Sequence, residues 1–183
     1  MSEQKKYPEF KDWVWKKFSN LGKKLNLDEF LTVNYDRDRA FLIGTDSQEH
    51  GKSTTFVTAV VAHKSTGLNS GGEAAVHRYR DGTSYHTLRS RLIVETMRTL
   101  EAAYYLDSVL PEDAKIRIHL DVNNDKEFKS GLYKEELVGW IAGQGYISYR
   151  DIGKNQSFDD FPRLVFWKPD SWAATKVADK HTR

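Results

Sequence analysis

Three runs of strand-forming residues lie close together early in the chain, and they constrain its fold more than any other feature. They cover residues 41–46, 54–63 and 73–80 and are rich in apolar and β-branched side chains. The connections between them, 47–53 and 64–72, are short and contain glycine. Because parallel neighbours need a crossover of about a dozen residues or more, connections this short join antiparallel strands. The sequence therefore predicts a three-stranded antiparallel meander.

After this meander the apolar pattern alternates between helix and strand. From residue 84 to residue 106 the spacing of apolar residues changes to about 3.6, which predicts a helix. Residues 115–122 then alternate between apolar and polar side chains and predict a fourth strand. The remaining predicted elements are a helix at 130–144, a short strand at 146–150, a strand at 163–167 and a last helix after Pro169. This order predicts an α/β fold with a mixed sheet.

The segment before the meander has a different pattern. Its apolar positions recur at spacings of three and four and predict an amphipathic helix over about residues 8–32. These positions are Phe10, Val14, Phe18, Leu21 and Leu25. A polar stretch at 34–39 follows. We therefore predict an N-terminal helical extension at residues 1–38 and a main domain at residues 39–183.

Composition limits the classes of function. With 183 residues, 39% of them hydrophobic and 30% charged, the chain is typical of one soluble globular domain. It has no apolar run long enough for a membrane span and no signal-peptide pattern at its start, so we expect a cytoplasmic protein. The absence of cysteine excludes thiolate chemistry and leaves carboxylates and histidines as metal ligands. Any bound metal is therefore expected to be hard, Mg²⁺ or Mn²⁺.

Acidic residues occur where the predicted elements end. Asp46 follows the first strand and Asp121 ends the fourth, while Glu95 lies at the margin of the apolar side of the first core helix. The carboxyl ends of parallel strands meet at one edge of a sheet, where ligands bind, so these side chains are expected to converge there. Other interpretations stay open, since Asp46 would also suit a turn and Glu95 a salt bridge with Arg91 or Arg98.

Four stretches carry a resemblance to a known family. They are IGTDSQ at 43–48, LRSRLIVE at 88–95, HLDVN at 119–123 and KPDSWAATKVAD at 168–179. In this order they resemble the YkuK-like family of bacterial ribonuclease H-like proteins, whose function is uncharacterised. The resemblance covers roughly residues 40–183. It implies a three-layer fold with a five-stranded mixed sheet, three strands antiparallel and then parallel strands, flanked by helices.

The same resemblance implies a catalytic and metal-binding set. The ribonuclease H pattern falls on Asp46, Glu95, Asp121 and Asp179, with His181 as an alternative to Asp179. Such a set implies two Mg²⁺ or Mn²⁺ ions and hydrolysis of phosphodiester bonds in RNA or DNA. The TDSQ stretch departs from the aspartate-x-glutamate signature of proofreading exonucleases that share the fold, which argues against that subclass.

Basic residues are candidates for nucleic-acid contact. They are Arg78, Arg80, Arg89 and Arg91, with tyrosines interleaved, and Lys168 before Pro169. Basic side chains beside aromatic ones bind phosphates and stack bases. A charged strand edge also protects a protein against aggregation, so the pattern has a purely structural interpretation as well.

Three functions remain open at this point. The first is a metal-dependent nuclease, which the four acidic positions favour. The second is a ribonuclease H-like module that binds nucleic acid or protein without cleaving it. The third is a phosphotransferase of the actin and sugar-kinase type, suggested only by GTDSQ and the nearby HGK. That class normally duplicates the fold, and 183 residues hold one copy.

Overall fold

The described part of the chain forms one mixed sheet with helices on both faces. The computed structural model describes residues 19–20, 23–24, 26–64 and 72–182. The first half comprises β1 (Ser19–Asn20), β2 (Lys23–Lys24), α1 (Leu27–Asn34), β3 (Arg39–His50), β4 (Ser53–Lys64), β5 (Gly72–Asp81) and α2 (Leu88–Val109). The second half comprises β6 (Lys115–Leu120), α3 (Lys134–Ala142), β7 (Ile147–Ser148), β8 (Arg163–Trp167) and α4 (Trp172–Thr182). None of these helices is long and apolar enough to span a membrane.

The sheet confirms the predicted mixture of strand directions. Its order is β2-β1-β5-β4-β3-β6-β8-β7. Strands β3, β4 and β5 form the antiparallel meander, and β6 and β8 continue it in parallel with β3. Five of the six strands predicted from the pattern correspond to the five long ones, and the short strand predicted at 146–150 corresponds to β7 (Ile147–Ser148). The sheet has eight strands where the resemblance implied five, because three two-residue strands, β1 and β2 at one edge and β7 at the other, add to the five long ones.

Alternation along the strands divides the side chains between two helical layers. On one face, Phe41 and Ile43 of β3 pack in the main core with residues of α1, α2 and α3. On the other, Ala40 and Leu42 pack against Ala174 of α4. We call these the α2 face and the α4 face. The expected three-layer architecture is therefore confirmed.

The N-terminal segment differs from the prediction. Residues 8–18 of the predicted helix lie outside the described residues, but β1 and β2 within its span are strands, and β1 joins the sheet through Ser19 and Val76. The prediction of a helix is therefore wrong for the residues of β1 and β2. The side chain of Asn26 accepts hydrogen bonds from the N–H groups of Asp28 and Glu29, so a separate helix begins at Leu27. The apolar periodicity does not detect that cap.

A glycine brings β3 close to α4. A Cβ added at Gly44 would lie 3.0 Å from the carbonyl oxygen of His119 and 3.2 Å from the Cβ of Ala174. Both distances are tight, so a larger side chain here would separate the helix from the sheet. The close approach occurs two residues before Asp46, and it places α4 beside the part of β3 that carries this aspartate.

Candidate functional site

An open cleft of about 720 Å³ lies at the carboxyl end of β6, where the pairing of β6 with β3 stops and β3 itself continues to His50. It is lined by Asp46, Asp121, Asn123, Asn124, Asp125, Lys168, Pro169, Thr175, Lys176 and Asp179. The register explains why two aspartates meet there. Ile43 pairs with Ile118, and each stands three residues before its aspartate, so both carboxylates leave the sheet at the same level on the α4 face.

Asp46 is the electrostatic centre of this cleft. Its pKa is raised to about 6, first by burial and then by the negative charges of Asp121 and Asp179, while Lys168 acts in the opposite direction. These couplings indicate that the three carboxyl groups, from β3, the end of β6 and α4, share one electrostatic environment.

The end of α4 closes one side of the site. Asp179 is exposed and lines the cleft. The hydroxyl of Thr182 donates a long hydrogen bond of 3.5 Å to Oδ2 of Asp46. Thr182, Asp46 and Asp179 also border an adjoining pocket of about 490 Å³, together with Ser47 and Gln48. His181, the alternative to Asp179, lines neither opening.

Glu95 reaches the site from the α2 face. It is 8% exposed, and Oε1 accepts a hydrogen bond of 2.5 Å from the hydroxyl of Ser47. Burial is the main cause that raises its pKa to about 8, and the charges of Asp46 and Asp121 raise it further. Ser47 follows Asp46 on β3, so the two side chains point to opposite faces of the sheet. Glu95 therefore contacts the neighbour of Asp46 while its charge interacts with the cleft.

Asp121 has a cationic partner. Nζ of Lys168 forms an ion pair with its carboxylate. The backbone N–H of Lys168 donates to the carbonyl of Val122 at 3.0 Å, which anchors the lysine beside the end of β6. The sequence predicted Lys168 as a phosphate contact, and this pairing with a second predicted site residue was not foreseen.

The carboxylates share a cleft without forming a compact cage. Within residues 19–20, 23–24, 26–64 and 72–182, no three histidine or acidic side chains are grouped as a metal centre. The donor set is nevertheless of the type that suits a hard cation. Mg²⁺ usually keeps several waters and takes only one or two protein carboxylates together with substrate oxygens. Asp46, Asp121 and Asp179 fit that mode of binding, and the metal site stays a prediction.

The four predicted arginines divide between the two faces. Asp46 pairs with Val57, and Val57 pairs with Arg78, so Arg78 lies on the α4 face two strands from the cleft. Arg80, two residues on, shares that face and donates to the Oγ of Ser53. Both arginines are exposed. They are therefore accessible on the same side of the sheet as Asp46.

The other two arginines belong to α2 and have acidic partners. Arg89 forms an ion pair with Glu136 of α3. Arg91 lies 3.7 Å from Glu49, which projects to the α2 face. The predicted basic patch is thus two separate pairs, only one of which lies on the face of the acidic cleft.

Comparison with known proteins agrees with this architecture. The family model described as Ribonuclease H-like matches residues 25–152. The chain belongs to the ribonuclease H-like family. The match contains Asp46, Glu95 and Asp121, and it ends before Lys168 and Asp179. Its start at residue 25 includes α1, which the predicted resemblance left out.

A relative confirms the resemblance to the YkuK-like family. The chain is 27% identical over 158 residues to the "Uncharacterized protein YkuK" of Bacillus subtilis (strain 168), with 77% of each chain covered. No solved structure matches the chain. The comparisons therefore give family and fold, while the chemistry has to be argued from the site.

Proposed function

We propose that this protein is a metal-dependent nuclease that hydrolyses phosphodiester bonds in RNA or DNA. One observation supports this most strongly: Asp46, Asp121 and Asp179 line one solvent-open cleft, and the charges of the latter two raise the pKa of Asp46. Mutual repulsion of this kind favours occupation by a cation. Family membership supports the same class of fold.

The residues of the cleft have distinct roles in this proposal. Asp46, Asp121 and Asp179 would hold Mg²⁺ or Mn²⁺. Bound there, divalent ions would supply an activated water and stabilise the charge of the phosphoryl group. Asp46, with a pKa of about 6, is mostly ionised at neutral pH and available as a ligand. Glu95, with a pKa of about 8, keeps its proton under the same conditions until a cation approaches.

Arg78 and Arg80 are the proposed contacts for the substrate backbone. Two inter-strand spacings separate Arg78 from Asp46, which is roughly 10 Å between backbones. Ala178 of α4 packs in the cluster that contains Val57, between the two positions. The exposed Lys180 adds a cation to the last turn of that helix. A polynucleotide that crosses the end of α4 would meet these cations before it enters the acidic cleft.

The test is a comparison of Asp46→Asn with Asp125→Asn. Asp125 also lines the cleft, but its Oδ1 accepts a hydrogen bond from the N–H of Glu127, which an asparagine preserves. Each variant therefore removes one carboxylate from the same opening. We would titrate both with Mn²⁺ by calorimetry and measure cleavage of labelled RNA, DNA and RNA–DNA hybrid.

The expected result is that wild type and Asp125→Asn bind Mn²⁺ and cleave at least one of these substrates. Asp46→Asn should lose metal binding and slow cleavage by about 100-fold or more, corresponding to about 3 kcal/mol of transition-state stabilisation. Equal activity of the two variants would contradict the assignment of Asp46, and absence of Mn²⁺ binding by the wild type would contradict the metal-dependent mechanism.

A second candidate is a module that binds nucleic acid without cleaving it. The pairing of Lys168 with Asp121 favours it, because a lysine already neutralises one of the required carboxylates. In that case the protein would bind labelled oligonucleotides in the presence of a chelator, and Asp46→Asn would bind at least as well as the wild type. No cleavage would be detected with any divalent ion.

A further inference from the structure

Lys168 is held in place by the fold rather than by a flexible loop. It follows β8 directly, and Trp167 at the end of that strand pairs with Leu120 at the end of β6. The bond from the Lys168 N–H to the Val122 carbonyl continues this contact past both strands. The lysine side chain therefore begins at the floor of the cleft, next to Asp121.

The ammonium group acts on both central aspartates. Its Nζ is paired with the carboxylate of Asp121, and its charge also lowers the pKa of Asp46. The side chain of Lys168 is 42% exposed and that of Asp121 is 25% exposed, so a dissolved cation can reach the pair. One bound positive charge thus occupies the region to which a divalent ion would be attracted.

We infer that Lys168 is a built-in competitor for the divalent cation, which must displace the ammonium group from Asp121 before it can bind. This inference rests on the proposed cation site. It also explains why the carboxylates do not form a compact group among the described residues, since Asp121 is paired with Lys168 and Glu95 with Ser47. Once displaced, the ammonium group remains in the cleft, where it meets the phosphate of a bound polynucleotide.

The experiment is a calorimetric Mn²⁺ titration of the full chain at pH 7 and constant ionic strength. Four proteins are compared: wild type, Lys168→Gln, Lys168→Arg and Lys134→Gln. The control lysine lies at the edge of the same cleft, where Nζ donates to Oδ1 of Asn124 at 3.2 Å. The Lys134→Gln substitution removes the same positive charge from a nearby position without changing the partner of an aspartate.

Lys168→Gln should bind Mn²⁺ about tenfold more tightly than wild type, which is the order of magnitude that repulsion between a monovalent and a divalent charge about 5 Å apart gives even in water. Lys168→Arg should stay near the wild type, and Lys134→Gln should change affinity by less than about threefold. Unfolding of a variant cannot produce this result, because it would weaken binding.

Unchanged or weaker binding by Lys168→Gln would overturn the inference, as would an equal gain in Lys134→Gln. If Lys168→Gln binds more tightly but no protein cleaves nucleic acid, the inference stands and the nuclease function fails. If wild type cleaves and binds Mn²⁺ with the affinity of Lys168→Gln, the nuclease stands and the inference fails. Failure of both proteins to bind Mn²⁺ would overturn both.

A second readout concerns the released ammonium group. In a chelator, wild type and Lys168→Gln should bind a labelled oligonucleotide with similar affinity. Added Ca²⁺, used as a probe to occupy the site without a requirement for cleavage, should strengthen binding by the wild type more than binding by Lys168→Gln. An equal response of the two proteins would contradict a role for the displaced lysine in phosphate contact.

Discussion

The two faces of the sheet use polar residues in opposite ways. On the α2 face, Glu95 is paired with Ser47, and Arg89 and Arg91 are paired with glutamates. On the α4 face, Asp46, Asp121 and Asp179 are among the residues that line an open cleft, and Arg78 is exposed to solvent. Neighbouring side chains pair with the first set, whereas the second set borders a cleft that is open to solvent. The α2 face is therefore expected to govern stability, and the α4 face to govern binding.

The largest expected effect tests the α2 face at high pH. In a chelator, Glu95→Gln should be more stable than wild type at pH 9 by several kcal/mol, since each unit of pKa displacement is worth about 1.36 kcal/mol. Glutamine keeps the acceptor for the Ser47 hydroxyl and carries no charge. The measurement is urea denaturation of both proteins from pH 4 to pH 9.

The sign follows from the two pKa values of Glu95. Its pKa rises from an ordinary 4.5 to about 8 on folding, so the folded protein holds a proton that the unfolded chain has lost between these values. The stability of the wild type therefore falls as the pH rises through that window, and Glu95→Gln lacks this component. Parallel pH profiles would show that Glu95 is not buried as described.

Substitution of Gly44 tests how closely α4 packs against β3. Gly44→Ala should destabilise the protein by about 1–3 kcal/mol, because the added Cβ meets the His119 carbonyl and Ala174. Gly139→Ala is the control, because no atom lies within 4 Å of a Cβ at that position of α3. It should stabilise the protein by up to about 1 kcal/mol. Chemical denaturation of both variants measures the difference, and equal shifts would contradict close contact of α4 with β3.

Thr99 tests the hydrogen bonds beneath Glu95. Its single hydroxyl proton is shared between Oγ1 of Thr45 and the carbonyl of Glu95, both 2.9 Å away in a buried environment. Thr99→Val should cost about 1–2 kcal/mol of stability, because Thr45 loses a partner. In Thr32→Val, an exposed threonine loses the equivalent bond to the carbonyl four residues earlier, and the change should be below about 0.5 kcal/mol. Thermal or urea denaturation measures both changes. Equal losses of stability in the two variants would contradict the expectation that the buried hydrogen bond contributes more than the exposed one.

The smallest expected effect separates the two arginine pairs. The double variant Arg78→Gln/Arg80→Gln should bind a labelled oligonucleotide roughly fivefold more weakly and show a shallower salt dependence, by about one unit of slope for each lost phosphate contact. Arg89→Gln/Arg91→Gln carries the same change of charge on the α2 face and should bind nearly as wild type. Fluorescence anisotropy at several salt concentrations makes the comparison. The reverse order of effects would move the binding surface to the α2 face.

The sequence was sufficient for the elements with a strong local signal. Runs of apolar and β-branched residues predict the meander strands, which are largely buried on both faces. Alternation predicts β6, and the 3.6-residue period predicts α2. The sequence also predicted that Asp46 and Asp121 converge, because both were expected on parallel strands. It could not show that the two side chains stand at the same height in the sheet, which depends on the pairing of Ile43 with Ile118. Register between distant strands is not visible in a single sequence.

The partners of the acidic residues were harder to predict. Ser47 could have been found, because alternation on β3 turns it away from Asp46 and towards the helix that carries Glu95. The contact of Lys168 with Asp121 depends on β8 lying beside β6, a long-range fact of topology. The division of the arginines depends on the registers of three strands. These contacts depend on which distant strands lie side by side, and a single sequence does not show that.

Ser171 joins the start of α4 to the strand that leads to Asp121. Its buried hydroxyl donates to the carbonyl of Leu120 at 2.7 Å, immediately before Asp121, and so pins the start of the helix to β6. Asp179 lies about 12 Å farther along the helix axis. The long bond from Thr182 to Asp46 is a second contact, at the far end of the helix. The helix is therefore held to the sheet at both ends, and its length sets how far Asp179 stands from Asp121.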